Sequence, residues 1–414
     1  MNKSEIIEYS DISIKLTKKI SSQVKKNNGI YFSPQSHIQL IVDYILNYMN
    51  ENKLSYNKIL EPSCGSCEII KYLNEKISNV NITGVEYNTD IYKMIETINF
   101  GKKNDIKLFH HDFLTFEQDK YNLIIGNPPY YVIPKKNINS KYLKYLDGRP
   151  NIYTIFIIRC MEQLLPNGIL AFFIPKNFLN CLYYDKLREY IHNKYKIINI
   201  MNLVEGKYLD TEQEIICLIL MNCKGDNSIF SYKIGNNYIF NNKLDEIKKL
   251  LLHSTTLDQR GFKVSIGTVV WNQHKNHPST PLTTDSTMTR LIYNSDIVDN
   301  ELIMKKYKNI EKHNYINKQG KTDLVLVLNR GYGKGEYKFN YCIVDIKEPY
   351  LIENHLICIT YKKKISRKKL LKLYQEIISS FQDKRTGDFV KLYFGNNAIN
   401  SMELQSILPI YNII

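Results

Sequence analysis

Between residues 58 and 175 short apolar segments alternate with stretches of helical period, and this alternation limits the fold more than any other feature. The apolar segments are KILEP (58–62), NITGVE (81–86), IKLFHHD (106–112), YNLIIGN (121–127) and ILAFFIP (169–175). Helical stretches fill 66–77, 89–100 and 151–165, the last ending at LPNG. The alternation predicts a doubly wound α/β sheet. IINIMNLV (197–204) and EIICLILM (214–221) predict a hairpin that completes it.

Four successive predicted strands end on a polar side chain: Glu61, Glu86, Asp112 and Asn127. In sheets of this kind ligands bind beyond the carboxyl ends of the strands, so we expect these side chains to share one site. Glu86 follows Gly65 by 21 residues, close to the offset at which an acid binds ribose hydroxyls in nucleotide-binding α/β folds. The G-x-G-x-x-G turn of a dehydrogenase is absent from the sequence.

The stretch GNPPY (126–130) ends the fourth strand with two consecutive prolines. The prolines fix φ, keep Asn127 away from the α region and remove two backbone donors. Such a loop offers mainly hydrogen-bond acceptors beside an aromatic ring, Tyr130. It therefore predicts a site that holds an amino group.

The strand-helix rhythm breaks near residue 240, which predicts two domains, 1–240 and 241–414, the second of α+β type. Residues 241–414 carry 27 Lys and Arg against 17 Asp and Glu, a net +10 of the chain's +15. This excess favours a polyanionic partner. Lysine-rich composition in an Asn-, Ile- and Tyr-rich chain can also reflect AT-rich coding, and that alternative stays open.

No secretory signal and no apolar run long enough for a membrane span is visible, and the eight cysteines show no disulfide spacing. The sequence thus predicts a cytoplasmic protein without a membrane partner. Cys64-x-x-Cys67 lacks a companion pair, which argues against zinc, and we expect no metal.

The motifs GIYFSPQSHIQLIV (29–42), EPSCGSC, GVEYN, HHDF, GNPPY and NIYTIF (151–156), in this order, resemble the TaqI-like gamma-type N6-adenine DNA methyltransferases. ENHLICI (353–359) and 390–410 loosely resemble that family's target-recognition domain. The resemblance implies a Rossmann-like sheet that binds S-adenosylmethionine in 1–240 and a DNA target-recognition domain in 241–414. It also implies methyl transfer to a flipped-out adenine in double-stranded DNA, within a restriction-modification system.

The resemblance assigns the site residues. Asn127 and Pro128 would accept the hydrogens of the target amino group, while Tyr130 and Tyr208 would stack on the base. The cofactor-binding residues it implies are Ser33, Pro34, Glu61, Ser63, Cys64, Gly65, Glu86, Asp112, Phe113 and Phe156.

The chain departs from the family at Cys67, where the cofactor turn usually has glycine. A side chain that crowded the cofactor there would lower its affinity, but we expect a small thiol to fit. Alternative substrates are an RNA adenine N6 and a protein glutamine N5, because NPPY suits any planar amino or amide nitrogen. We expect a monomer whose partners are double-stranded DNA and a separate cognate restriction endonuclease.

Overall fold

The computed structural model describes residues 8–117, 119–203, 214–309, 311–330, 338–394 and 399–412. The chain divides into two compact units, Met1–Leu244 and Asp245–Ile414. The sequence puts the domain boundary at residue 240.

A seven-stranded sheet forms the centre of the first unit, with the strand order β3-β2-β1-β4-β5-β7-β6. All pairings from β3 to β5 are parallel, whereas β7 is antiparallel to both of its neighbours, β5 and β6. The strands are β1 (Lys58–Glu61), β2 (Asn81–Glu86), β3 (Asp105–His110), β4 (Tyr121–Gly126), β5 (Leu164–Pro175), β6 (Lys196–Asn202) and β7 (Ile215–Met221). The carboxyl ends of β1 to β4 therefore meet at one edge.

Within the described ranges, three helices precede β1, four others connect strands of the sheet, and a small hairpin follows the last strand. The helices are α1 (Asp11–Lys19), α2 (Ser22–Asn28), α3 (Gln35–Glu51), α4 (Glu68–Lys76), α5 (Thr89–Ile95), α6 (Ile152–Glu162) and α7 (Asp185–Lys194). The hairpin pairs β8 (Ser231–Ile234) with β9 (Asn237–Phe240), and α8 (Leu244–Leu251) comes next.

The apolar composition of the central strands follows from their burial on both faces. Every residue of β7 is buried, and so are five of the six residues of β4, whereas the edge strand β3 has no fully buried residue. The predicted hairpin of β6 and β7 is confirmed by their antiparallel pairing. The prediction that LPNG ends the preceding helix is wrong, because that helix ends at Glu162 and LPNG lies inside β5.

The second unit contains two four-stranded sheets, β11-β20-β17-β18 and β12-β16-β13-β19, with helices at its end. Its longer strands are β11 (Phe262–Ile266), β13 (Thr289–Ile292), β17 (Val325–Asn329), β18 (Tyr341–Val344), β19 (Tyr350–Ile352) and β20 (Leu356–Tyr361). Its two-residue strands are β10 (Ser254–Thr255), β12 (Leu282–Thr283), β14 (Ile297–Val298), β15 (Glu301–Leu302), β16 (Tyr315–Ile316) and β21 (Ile410–Tyr411). Its helices are α9 (Arg367–Gln382), α10 (Lys384–Phe389) and α11 (Ser401–Ser406).

Helix α9 packs on the first of these sheets through Tyr374. The side chain is fully buried, and its hydroxyl lies 2.9 Å from the carbonyl oxygen of Ile359 and 3.3 Å from that of Leu324. The second unit is therefore of the α+β type.

Candidate active site

A cavity of about 370 Å³ lies where the carboxyl ends of β1 to β4 meet. Seven of the predicted site residues line it: Ser63, Gly65, Glu86, Asp112, Phe113, Asn127 and Phe156. Six others do not border it: Ser33, Pro34, Glu61, Cys64, Pro128 and Tyr130. Tyr208 lies outside the described residues. Parallel pairing thus brings together residues that are far apart in sequence.

Glu86 closes β2 and holds the turn that follows β1. One carboxylate oxygen accepts a hydrogen bond from the Gly65 N–H at 2.9 Å, and the other accepts one from the Asn88 N–H at 2.7 Å. Burial raises the pKa of Glu86, although these two hydrogen bonds act in the opposite direction. Each carboxylate oxygen can accept more than one hydrogen bond, so Glu86 keeps acceptor capacity toward the cavity.

Two phenylalanine rings form an aromatic wall of the cavity, and the first of them follows β3 in sequence. Phe113 and Phe156 contact each other with ring centroids 5.0 Å apart. Asp112 precedes this wall, and its carboxylate accepts a hydrogen bond from the Leu114 N–H at 2.9 Å. A carboxylate beside two apolar rings suits a flat aromatic ligand that has a polar edge.

The Asn127 amide is oriented by the segment that precedes α3. Its Nδ2 donates to the carbonyl oxygen of Tyr31 at 2.8 Å and to Ser33 Oγ at 3.1 Å. Its backbone carbonyl accepts a hydrogen bond from Ser63 Oγ at 3.1 Å. Both N–H groups of the amide therefore have partners, so Oδ1 is the side-chain atom that can accept a hydrogen bond from a ligand.

The Tyr130 hydroxyl reaches that same oxygen. It lies within hydrogen-bond distance of Asn127 Oδ1 and, at 2.8 Å, of the Phe173 carbonyl oxygen. A phenol has one proton, so it donates to only one of them at a time. The ring is buried and stacks on Tyr31 with centroids 5.8 Å apart. Stacking of Tyr130 on a base stays a prediction.

Ser33 and Pro34 occupy the start of α3 rather than the cavity wall. Ser33 is buried against Asn127, and Pro34 is the N-cap residue of the helix. Their predicted contact with the cofactor stays a prediction. The geometry gives Ser33 a contact with the amide of Asn127 that sequence reasoning missed, since 94 residues separate the two.

Glu61 is buried at the end of β1, and its Oε2 has no hydrogen-bond partner among the described residues. Burial raises its pKa well above the usual value, and the neighbouring Cys67, Glu68 and Glu86 raise it further. In the ligand-free protein this carboxyl group therefore holds a proton at a pH where an exposed glutamate has released it.

We expect this proton to make stability depend on pH. Between the ordinary pKa of about 4.3 and the raised folded-state value, the folded chain binds a proton that the unfolded chain lacks, so stability falls as pH rises. Glu61→Gln removes this dependence. In thermal melting without ligand from pH 5 to pH 8, the stability of the variant relative to the wild type should rise with pH, by at most about 1.4 kcal/mol per pH unit. A constant difference would contradict the assignment.

Cys67 lies in the turn between β1 and α4 with a left-handed backbone, φ +61°. This conformation favours glycine, which agrees with the family pattern noted above. The side chain is fully buried in the hydrophobic core and does not border the cavity. That this small thiol fits beside the cofactor stays a prediction.

Several cavity residues escaped sequence reasoning, and Tyr87 and Gly29 are two of them. Tyr87 directly follows Glu86 and is 72% exposed. Gly29 ends α2 with φ +62°, and a Cβ atom there would lie 2.2 Å from the backbone nitrogen of Tyr130. The aromatic after the acid in GVEYN and the glycine that opens GIYFSP were the available signals.

Among the described residues no helix is both long and apolar enough to span a membrane. The same residues contain no group of three or more His, Cys, Asp or Glu side chains suited to a metal ion.

Known proteins resemble this chain in sequence. Residues 9–208 match the family described as Eco57I restriction-modification methylase. The chain is 25% identical to Modification methylase CviBIII of Paramecium bursaria Chlorella virus NC1A, over 98% of this chain and 99% of that protein. It is 24% identical to Type II methyltransferase M.CvrRI of Paramecium bursaria Chlorella virus XZ-6E, over 97% and 99%.

Among solved structures, the DrdV–DNA complex determined by cryo-electron microscopy aligns with a TM-score of 0.52 at 12% identity. The alignment covers 97% of this chain and 57% of that one. At this identity the likeness concerns the fold.

Proposed function

We propose that the chain is a restriction-modification DNA methyltransferase, as its similarity to the Eco57I family and to the two viral enzymes indicates, and that it methylates N6 of adenine in double-stranded DNA. The observation that carries the proposal is the meeting of Glu86 and Asn127 at one cavity. The first is an acid suited to ribose hydroxyls, and the second is an acceptor suited to an amino group.

The cofactor is S-adenosylmethionine, and the cavity residues fit its parts. The Glu86 carboxylate would bind the ribose hydroxyls, while Asp112 would accept a hydrogen bond from the adenine amino group. Phe113 and Phe156 would contact the adenine ring. Ser63 and Gly65, in the turn after β1, would lie along the methionine portion, with the buried Glu61 and Cys64 behind them.

Adenine N6 is a weak nucleophile because its lone pair is delocalised into the ring. Asn127 Oδ1 and the Pro128 carbonyl would accept both amino hydrogens and draw the nitrogen toward tetrahedral geometry. S-adenosylmethionine would supply the methyl group of a sulfonium: the N–C bond would form as the C–S bond breaks, the neutral thioether would leave, and the methylated nitrogen would release one proton to solvent. Positioning and electrostatic stabilisation then suffice without a strong general base.

Asn127 Oδ1 has two lone pairs, and both are open to the base when Tyr130 donates its proton elsewhere. The Phe173 carbonyl oxygen, already 2.8 Å from the hydroxyl, provides the second partner. Tyr130 and Tyr208 would stack on the two faces of the extruded base, each ring contributing about 1–3 kcal/mol. Extrusion from the duplex costs a few kcal/mol, which this stacking offsets.

DNA is favoured over RNA or protein because the similarity to the two named viral enzymes covers nearly the whole chain, including the basic second unit. In this assignment residues 245–414 read the target sequence. The gamma-type class, the adenine specificity and a cognate restriction endonuclease are parts of the same proposal. Assays with tritiated S-adenosylmethionine on DNA, RNA and protein, followed by nucleoside analysis, test it; label in 5-methylcytosine or in protein would contradict it.

Ser33 provides a prediction that separates two roles. In Ser33→Ala the Asn127 amide is deprived of one of its two acceptors, worth about 1 kcal/mol, so we expect a roughly fivefold lower rate of methyl transfer. The affinity for S-adenosylmethionine should stay unchanged, and Ser33→Thr should restore the rate. A weaker cofactor affinity with an unchanged rate would instead support the cofactor contact expected from the sequence.

A further inference from the structure

The stretch of the second unit that follows β15 carries a local excess of positive charge. Residues 303–321 contain six lysines, and Glu311 is their only acidic residue. Three of these lysines lie in the loop 303–309, called here the 303–309 loop.

A buried carboxylate holds this loop in place. Asp296 is fully buried, and one of its oxygens accepts hydrogen bonds from the Lys305 N–H, at 3.2 Å, and from the Tyr307 hydroxyl. The Asp296 carbonyl accepts a hydrogen bond from the Ile303 N–H at 2.7 Å. Asn314 Nδ2 donates to the Lys305 carbonyl at 2.9 Å. The backbone of the loop is thus fixed by the residues around it.

A cation–π interaction adds to this attachment. The Lys312 ammonium lies 4.2 Å from the centre of the Tyr307 ring and 4.1 Å from that of Tyr293. Such interactions contribute about 0.5–2 kcal/mol, depending on how far they are desolvated. Lys312 is therefore used to hold the loop rather than to face solvent.

The three lysines of the loop itself, in contrast to Lys312, face solvent. Lys305, Lys306 and Lys308 are exposed, and in the described part of the chain none has an Asp or Glu oxygen within 4.0 Å. Ile303 and Met304 beside them are exposed by 46% and 38%. The loop, whose backbone is fixed by Asp296 and Asn314, thus presents three exposed lysines that have no acidic partner among the residues that the structure describes.

We propose that the 303–309 loop binds the phosphate backbone of the DNA substrate, an inference that rests on the proposed function. Duplex DNA carries closely spaced phosphates, and a preorganised row of ammonium groups needs little backbone ordering to bind them. Hydrogen bonds to phosphate position a protein on the duplex without reading its sequence. The loop therefore determines affinity and register, while other residues determine sequence choice.

The test is the salt dependence of binding to a fixed 30-base-pair duplex. The triple variant Lys305→Gln, Lys306→Gln, Lys308→Gln should lower the slope of log K against log salt by about 0.9 for each phosphate that is no longer neutralised, at most about 2.7. Affinity at 50 mM salt should fall by at least about tenfold. Replacing the same three lysines by arginine should leave the slope unchanged.

The matched control is Lys363→Gln, Lys364→Gln, Lys368→Gln, which removes the same charge from another exposed basic stretch of this unit. Equal slopes for both triple variants would overturn the proposal, since only overall charge would then matter. An unchanged slope in the loop variant would overturn it as well. Methylated adenine formed by the wild type is measured separately, so a failure of the proposed chemistry is distinguishable from a failure of the loop assignment.

Discussion

Asn127→Ala should lower the rate of methyl transfer by about 10²–10³-fold, the range for removing one preorganised polar group at a reacting centre. The variant lacks Oδ1, the acceptor that we propose holds N6 and redirects its lone pair. Cofactor affinity should stay within about twofold, because Glu86 and the Phe113–Phe156 wall do not depend on the amide. Single-turnover transfer from tritiated S-adenosylmethionine and calorimetric binding measure the two quantities.

Asn127→Asp is the informative companion. It keeps an oxygen for N6 but replaces the Nδ2 donor, which faces Tyr31 O and Ser33 Oγ, by a second oxygen. Two oxygens facing each other are unfavourable, so the side chain should turn and the rate should fall to a value between wild type and alanine. An unchanged rate in the alanine variant would reject the role of Asn127.

Glu86→Ala should weaken the binding of S-adenosylmethionine by about 10²-fold, since hydrogen bonds to a charged group contribute about 1.5–3 kcal/mol each. The variant lacks the proposed acceptor for ribose and also the partner of the Gly65 and Asn88 N–H groups. Titration calorimetry gives the affinity. The rate at saturating cofactor should change much less than the affinity.

A matched control for Glu86 is Asp90→Ala, which removes an exposed carboxylate from the first turn of α5 outside the cavity. Its cofactor affinity should equal that of the wild type. Melting curves of both variants show whether the turn after β1 survives. A Glu86→Ala affinity within about threefold of wild type, with the fold intact, would contradict the assignment, because a single charged hydrogen bond already contributes more than that.

Local patterning predicted the first unit well because its strands are buried and its helices amphipathic. NITGVE predicts β2 at the bounds that it has in the structure, Asn81–Glu86. LPNG failed as a helix stop because the helix already ends at Glu162, and LPNG follows the first residue of β5. Tyr121 pairs with Leu164 and Leu123 pairs with Ile169, so residues 165–168 form an irregularity in the strand, with Asn167 in a left-handed conformation, φ +61°. The turn-forming sequence thus interrupts the pairing of β5 with β4 and does not end the helix.

The cavity was predictable for a different reason, which is that parallel pairing sends every strand end to one edge. The contacts that hold the cavity residues in place were not predictable. Asn127 is held by Tyr31 and Ser33, which precede it by 96 and 94 residues, and no local pattern encodes such a contact. The same holds for the close approach of Gly29 to Tyr130, which the sequence records only as one glycine among 18.

The attachment of Asn127 to the segment before α3 limits how the enzyme can be shortened. A fragment that begins at β1 would keep the strand ends of the sheet but would lack the backbone oxygen of Tyr31 and the Oγ of Ser33. A shortened or circularly permuted variant should therefore retain residues 29–34 together with the GNPPY loop (126–130). Supplying that hexapeptide stretch at a new terminus would be as necessary as preserving NPPY itself.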